Sequence, residues 1–205
     1  MRLHLAAAVV VTLSLAGCNS GDEPTVEAGG TTTMSATTGP TEPTTGPPST
    51  AVAVTPPVSA PAPDGASRAF LTDVRVAAAD GGGSRVVFEL EPNLPAYRIE
   101  YIEPPVTEDG SGKEAAVAGA AILQVRLEDA AGARIEGEKV VPTYTGPKRV
   151  AASGAGGVVT EAVDTGDFEG VVTWAVGLRA KAPTITVTTL TGPSRLVIDV
   201  PGPAR

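Results

Sequence analysis

From residue 67 onward, apolar and polar residues alternate with a period of two, broken at short intervals by glycine and proline. Such alternation marks strands that bury one face. Phe70-Leu71-Thr72-Asp73-Val74-Arg75-Val76 predicts a strand with Phe70, Val74 and Val76 on one face and Leu71, Asp73 and Arg75 on the other. After the turn Asp80-Gly81-Gly82-Gly83, Ser84-Arg85-Val86-Val87-Phe88-Glu89-Leu90 predicts a second, with Val86, Phe88 and Leu90 inward. Tyr97-Arg98-Ile99-Glu100-Tyr101 alternates again and stops at Glu103-Pro104-Pro105. Further strands are predicted over 121–127, 158–163, 171–178, 184–189 and 195–200, with turn signals at Asp109-Gly110, Gly146-Pro147, Gly166-Asp167 and Gly192-Pro193. No stretch carries a long stripe of helical period. Short strands with regular turns predict an all-β fold, an antiparallel β-sandwich over 67–205.

The beginning of the chain is patterned differently. Met1-Arg2-Leu3-His4 is a short basic start, and residues 5–15 form an uncharged, mostly apolar run. Eleven residues at 1.5 Å rise cover about 16 Å, roughly half of a bilayer core, which fits the apolar part of a signal peptide and not a membrane span. Leu15-Ala16-Gly17-Cys18 then resembles the lipobox of bacterial lipoproteins, where the chain is cut before a cysteine that carries diacylglycerol. An ordinary secretory leader beside a cysteine is the alternative. Cys18 is the only cysteine in the chain, so it has no partner for an internal disulfide. The resemblance implies a signal peptide over 1–17, a lipid on Cys18 and a protein held at the extracytoplasmic face of the cell membrane. Two acyl chains anchor stably where one does not.

Residues 18–66 are dominated by Thr, Pro, Gly, Ser and Ala, as in Pro40-Thr41-Glu42-Pro43-Thr44-Thr45-Gly46-Pro47-Pro48. Such a composition buries too little apolar surface to offset the entropy of ordering, so it predicts a disordered linker. Its reach lies between about 40 and 150 Å. Thr beside Pro also suits O-glycosylation, with an unmodified linker as the other possibility.

Lys and Arg number 15 against 23 Asp and Glu, a net charge of −8. Setting aside Arg2 of the leader and the linker acids Asp22, Glu23, Glu27, Glu42 and Asp64 leaves the domain 14 against 18, net −4. That balance argues against a nucleic-acid partner.

Two segments of the domain echo one another residue class by residue class. Ser84-Arg85-Val86-Val87-Phe88-Glu89-Leu90 matches Ser194-Arg195-Leu196-Val197-Ile198-Asp199-Val200. Two amphipathic strands with an outer charge pair would look alike for purely physical reasons. The pair also looks like the repeated strand signature of AMIN domains. Three further stretches resemble the AMIN-like domain of lipoproteins from high-GC Gram-positive bacteria. They are Tyr97-Arg98-Ile99-Glu100-Tyr101 with Pro104-Pro105-Val106 and Asp109-Gly110-Ser111-Gly112, then Tyr144-Thr145-Gly146-Pro147-Lys148-Arg149-Val150, then Gly166-Asp167-Phe168-Glu169-Gly170 leading to Trp174-Ala175-Val176-Gly177-Leu178-Arg179. The resemblance implies a small β-sandwich of the AMIN type in the cell envelope. AMIN domains localise periplasmic proteins, in some cases by binding peptidoglycan. The expected function is therefore a membrane-anchored lipoprotein presenting a non-catalytic domain for peptidoglycan or another wall glycan. A scaffold that binds another envelope protein is the alternative.

The chemistry points the same way. The only histidine is His4, within the leader, and Cys18 is the expected lipid site, so the mature chain offers no imidazole and no thiol. That excludes Ser-His-Asp and Cys-His catalysis, and transition-metal sites built from His and Cys. No phosphate-cradling glycine loop or nucleophile elbow occurs, and no cofactor is implied. Glu108-Asp109 and Asp164, Asp167 and Glu169 could form an acid–base pair or a calcium loop, or be ordinary solvated turns. Tyr97, Tyr101 and Trp174 alternate with aliphatic residues and either pack the core or offer stacking faces to sugar rings. Arg85 and Arg195, with Arg98 and Arg179, fall on the opposite strand faces, where they bind ligand carboxylates or pair with neighbouring acids. The candidate glycan-binding set is Tyr97, Tyr101, Trp174, Arg85 and Arg195.

Overall fold

The computed structural model describes residues 50–203. Cys18, the leader 1–17 and residues 18–49 of the expected linker lie outside the described residues. The strands are β1 (Thr50–Val54), β2 (Val58–Ala60), β3 (Ala69–Ala78), β4 (Ser84–Glu91), β5 (Ala96–Ile102), β6 (Ala121–Glu128), β7 (Ala130–Ala131), β8 (Ala133–Glu136), β9 (Lys139–Pro142), β10 (Arg149–Ala151), β11 (Val159–Phe168), β12 (Val171–Leu178), β13 (Ile185–Leu190) and β14 (Ser194–Val200). They form two six-stranded sheets, ordered β1-β13-β14-β4-β3-β7 and β10-β11-β12-β6-β5-β2, and a separate hairpin β8-β9. All pairings are antiparallel except the two-residue β3-β7 contact. Inward residues of both sheets, among them Val86, Phe88, Val125, Trp174 and Ile198, form one continuous core. This is the β-sandwich the alternation predicts.

The domain begins earlier than residue 67. Residues 50–66, expected to be linker, contribute β1 to one sheet and β2 to the other, so the chain crosses between the sheets at Pro56-Pro57. Val54 and Val58 pack against the core on either side of the crossing. Thr-Pro composition concealed the signal, because Thr50-Ala51-Val52-Ala53-Val54 is a short β-favouring run framed by prolines.

Three β-bulges, at Thr72, Thr160 and Thr165, interrupt the ladders, and two of them bear on the faces read from alternation and on the site. In β3, Leu71 faces Leu90 while Asp73 faces Glu89, leaving Thr72 as the extra residue with its hydroxyl donating to the Glu89 carbonyl at 3.1 Å. Leu71 is consequently buried with Val74 and Val76, and Phe70 is not, which reverses the predicted faces at the start of this strand. In β11, Asp164 faces Trp174 and Gly166 faces Thr173, so Thr165 is extra, its hydroxyl donating to the Thr173 carbonyl at 3.1 Å. The turn expected at Gly166-Asp167 falls instead at Glu169-Gly170, where both φ angles are positive (52° and 80°), as a two-residue hairpin of the right twist requires.

Strand β12 is buried on both faces. Val172, Trp174, Val176 and Leu178 enter the core, while Thr173, Ala175 and Gly177 lie beneath the loop 103–120. Side-chain and backbone hydrogen bonds fasten the loop to its neighbours. Asp109 accepts from the Thr173 hydroxyl at 2.6 Å, Glu161 accepts from the Ala118 N–H at 2.7 Å, and Arg149, ion-paired to Glu161, donates to the Ala116 carbonyl at 2.7 Å.

The sequence echo has a structural counterpart. β4 and β14 lie side by side in full antiparallel register, Ser84 opposite Val200 through Leu90 opposite Ser194, centred on Val87 and Val197. Each Arg of one copy therefore stands opposite the acid of the other.

Candidate functional site

The site is built on the flank of the sandwich between β3 and β11, beneath the loop 143–148. A cavity of about 200 Å3 opens there. Leu71, Val172 and Trp174 form its apolar side, and Tyr144, Lys148, Asp164 and Asp167 provide its polar groups. The bulge at Thr165 explains the two aspartates. Residues three apart on a regular strand point to opposite faces, but the extra residue between them brings both to the cavity.

An aromatic stack runs from the core to this surface. Phe88 meets Trp174 edge to face at 6.1 Å between centroids, and Trp174 meets Tyr144 at 5.6 Å and 90°. Tyr144 folds over Gly146, where any Cβ would collide with its ring, and its hydroxyl donates to the Pro147 carbonyl at 2.8 Å. Burial, helped by the carboxylates of Asp73 and Asp164, pushes the Tyr144 phenol up to about 12, so it remains a neutral donor. Beneath it Trp174 has no exposed surface, and its indole N–H has no hydrogen-bond partner; the buried Thr143 hydroxyl is likewise unpaired. Orphaned buried donors are uncommon in folded proteins.

Asp164 and Asp167 are side by side on one strand. Asp164 accepts from the Gly166 N–H at 3.0 Å, and Asp167 accepts from the Gly132 N–H at 2.7 Å. Each carboxylate thus has one oxygen committed to backbone. Burial, above all, raises the Asp164 carboxyl above its ordinary value. The Gly166 N–H and Lys148 oppose that shift, and Asp167 and Glu108 add to it. The folded chain therefore holds this proton more tightly than the unfolded one, and stability falls as pH rises through the ordinary Asp range to the raised folded value. Asp164→Asn, which keeps an acceptor for Gly166, is expected to match the parent near pH 3 and to be the more stable of the two at pH 7. Urea midpoints across that range measure it. A parent that equals or exceeds the variant at pH 7 would contradict the argument.

The five residues proposed from sequence do not converge. Trp174 is core and presents no face to a sugar. Tyr97 and Tyr101 share the inner face of β5 with Ile99, half-buried against the core. The Tyr101 hydroxyl donates to the Ala182 carbonyl at 2.9 Å and accepts from the Ala182 N–H at 3.1 Å, with Lys181 above the ring at 4.7 Å. Its polar end is already used. Arg85 and Arg195 lie on the outer face of the other sheet. Arg85 forms two bonds to Asp199, at 2.7 and 2.9 Å, which raise its already high pKa. Arg195 stands opposite Glu89, which is bonded to Arg75. The residues missed by sequence are Tyr144, Lys148, Asp164 and Asp167 acting together; only the bulge and the 143–148 loop join them. Among the described residues, no group of three or more His, Cys, Asp or Glu is placed to hold a metal ion, so the calcium reading of 164–170 has no support in the geometry.

No curated protein and no solved structure matches the chain. A family model described as the AMIN-like domain matches residues 69–202, from the first long strand to just past the last. The match takes in the paired echo strands, the loop that covers β12 and the cavity flank alike, and the chain belongs to the AMIN-like domain family.

Proposed function

We propose that this domain is a non-catalytic binding module that recognises a cell-wall glycan, peptidoglycan above all, and is presented from the membrane by lipid on Cys18. The observation that supports it best is the Tyr144 cavity. It combines an aromatic edge, an ammonium group and two carboxylates. Hydroxyls and acetamido groups of amino sugars, or the amine and carboxylate ends of a peptide stem, complement such a mixture. The Leu15-Ala16-Gly17-Cys18 tetrad supports the anchor.

The test uses the full chain carrying Cys18→Ser and purified insoluble peptidoglycan. Cosedimentation should exceed that of an unrelated β-domain of equal charge, and Tyr144→Ala should weaken it about tenfold. Retention no better than the control sinks the reading, and the appearance of soluble muropeptides in the supernatant would favour hydrolysis over binding. In cells, Cys18→Ala should release the chain or leave it unprocessed; a cleaved chain that stays on the membrane argues against the lipid.

One observation favours the scaffold alternative. The β8-β9 hairpin holds Ile135 opposite Val140, and both are largely exposed, 78% and 72%. An apolar pair of this kind is a contact for another protein more readily than for a sugar.

A further inference from the structure

The two sheets have four edges, and three of them are protected. β7 is two residues long. β10 is three residues long and begins with the charged Arg149; just beyond it the chain leaves at Ser153, which bonds to Val76 and Ala78 of β3. β2 is three residues long and framed by Pro57 and Pro61. β1 differs in every respect. It pairs with β13 through five residues without a bulge, and among the described residues no strand pairs with its other side. It contains no charge, proline or glycine, and Val52 at its centre is 47% exposed. A flat, uncharged, β-favouring edge invites another strand.

We propose that this edge docks a second copy of the chain. β1 pairs with β1 of the other copy in antiparallel register, Val52 opposite Val52 and Thr50 opposite Val54, so that two six-stranded sheets become one of twelve. Charge selects the occupant. The chain carries a net −8, yet no charged residue lies between Glu42 and Asp64, or between Lys181 and Arg195, the stretch that holds the neighbouring strand β13. Two copies therefore meet at this edge without opposing like charges. Identical strands related by a twofold axis satisfy antiparallel pairing by symmetry. Five residue pairs bury far less than the ~1,000 Å2 of a lasting interface, so the pairing is weak in dilute solution and grows with local concentration.

The test places single cysteines in the full chain carrying Cys18→Ser. At high protein concentration under mild oxidation, Val52→Cys should form disulfide-linked dimers about tenfold faster than Ile135→Cys, because cross-strand Cβ atoms lie ~4.5–5.5 Å apart. Ile135 is the more exposed position, so random collision favours it and supplies the baseline. A mixture of Ala51→Cys and Ala53→Cys chains should cross-link faster than either alone, as the register demands. Val52→Lys in the cysteine-free chain should abolish concentration-dependent sedimentation while leaving the thermal midpoint unchanged. Cross-linking at 52 no faster than at 135, or self-association that survives Val52→Lys, overturns the proposal.

Discussion

Trp174→Ala is expected to lower the stability of the domain by about 3–5 kcal/mol. Trp174 sits where the two sheets and the 143–148 loop meet, with Phe88 on one side and Tyr144 on the other. Its removal opens a void that two antiparallel sheets, held by their ladders, cannot close. At this domain size each kcal/mol moves the midpoint by about 2–4 °C, so a fall of roughly 6–20 °C should appear in a thermal melt. Trp174→Phe separates packing from hydrogen bonding. The indole N–H has no partner, so the phenylalanine variant loses no bond and should cost only about 1–2 kcal/mol. An alanine variant within 1.5 kcal/mol of the parent would show that the stack does not carry the core. Because Tyr144 rests on Trp174, the alanine variant should also lose the cavity and with it any wall retention, whereas the phenylalanine variant should keep much of both.

How much of this was legible beforehand depends on how local the cause is. The echo of Ser84–Leu90 in Ser194–Val200 is visible in sequence because it is a self-complementary pattern. Arginine second and acid sixth in each copy become Arg85 against Asp199 and Arg195 against Glu89 once the strands run antiparallel. Strand positions were equally legible wherever alternation was clear, as in β4 and β5. The bulges were not. An extra Thr72 or Thr165 looks like any other residue of a strand, yet each reverses which side chains enter the core, and the second assembles the aspartate pair. The trouble with β1 and β2 was the opposite. Their residues are ordinary strand formers, but prolines on both sides gave the window the composition of a linker. The site itself was illegible for a third reason. Tyr144, Asp164 and Trp174 come from separate segments, and periodicity says which residues face inward but not which of them share an opening.

Gly177→Ala is expected to be nearly as damaging, although it adds one methyl group. A Cβ at this position would overlap the backbone carbonyl of Ala118 and crowd the Thr160 hydroxyl, which already donates to the Gly177 carbonyl at 2.9 Å. Neither neighbour is the free end of a flexible side chain, so the loop 103–120 must lift. Lifting it breaks the Glu161 and Arg149 contacts to Ala118 and Ala116, and pulls Val106 of the loop away from Ile122 and Ala175, with which it forms a small cluster. About 2–4 kcal/mol should be lost, within the range for overpacking joined to broken polar contacts. Amide exchange should accelerate over 103–120 and along β12 while β4 and β14 stay protected. Gly137 supplies the contrast. Its φ of 63° disfavours a side chain, but a Cβ there meets nothing within 4 Å, so Gly137→Ala should cost only the ~1–2 kcal/mol of left-handed backbone. If the two variants exchange alike in 103–120, the close approach of the loop is not what requires glycine at 177. If they differ as argued, the loop is a separately breakable layer, and the second face of β12 owes its burial to the absence of one carbon atom.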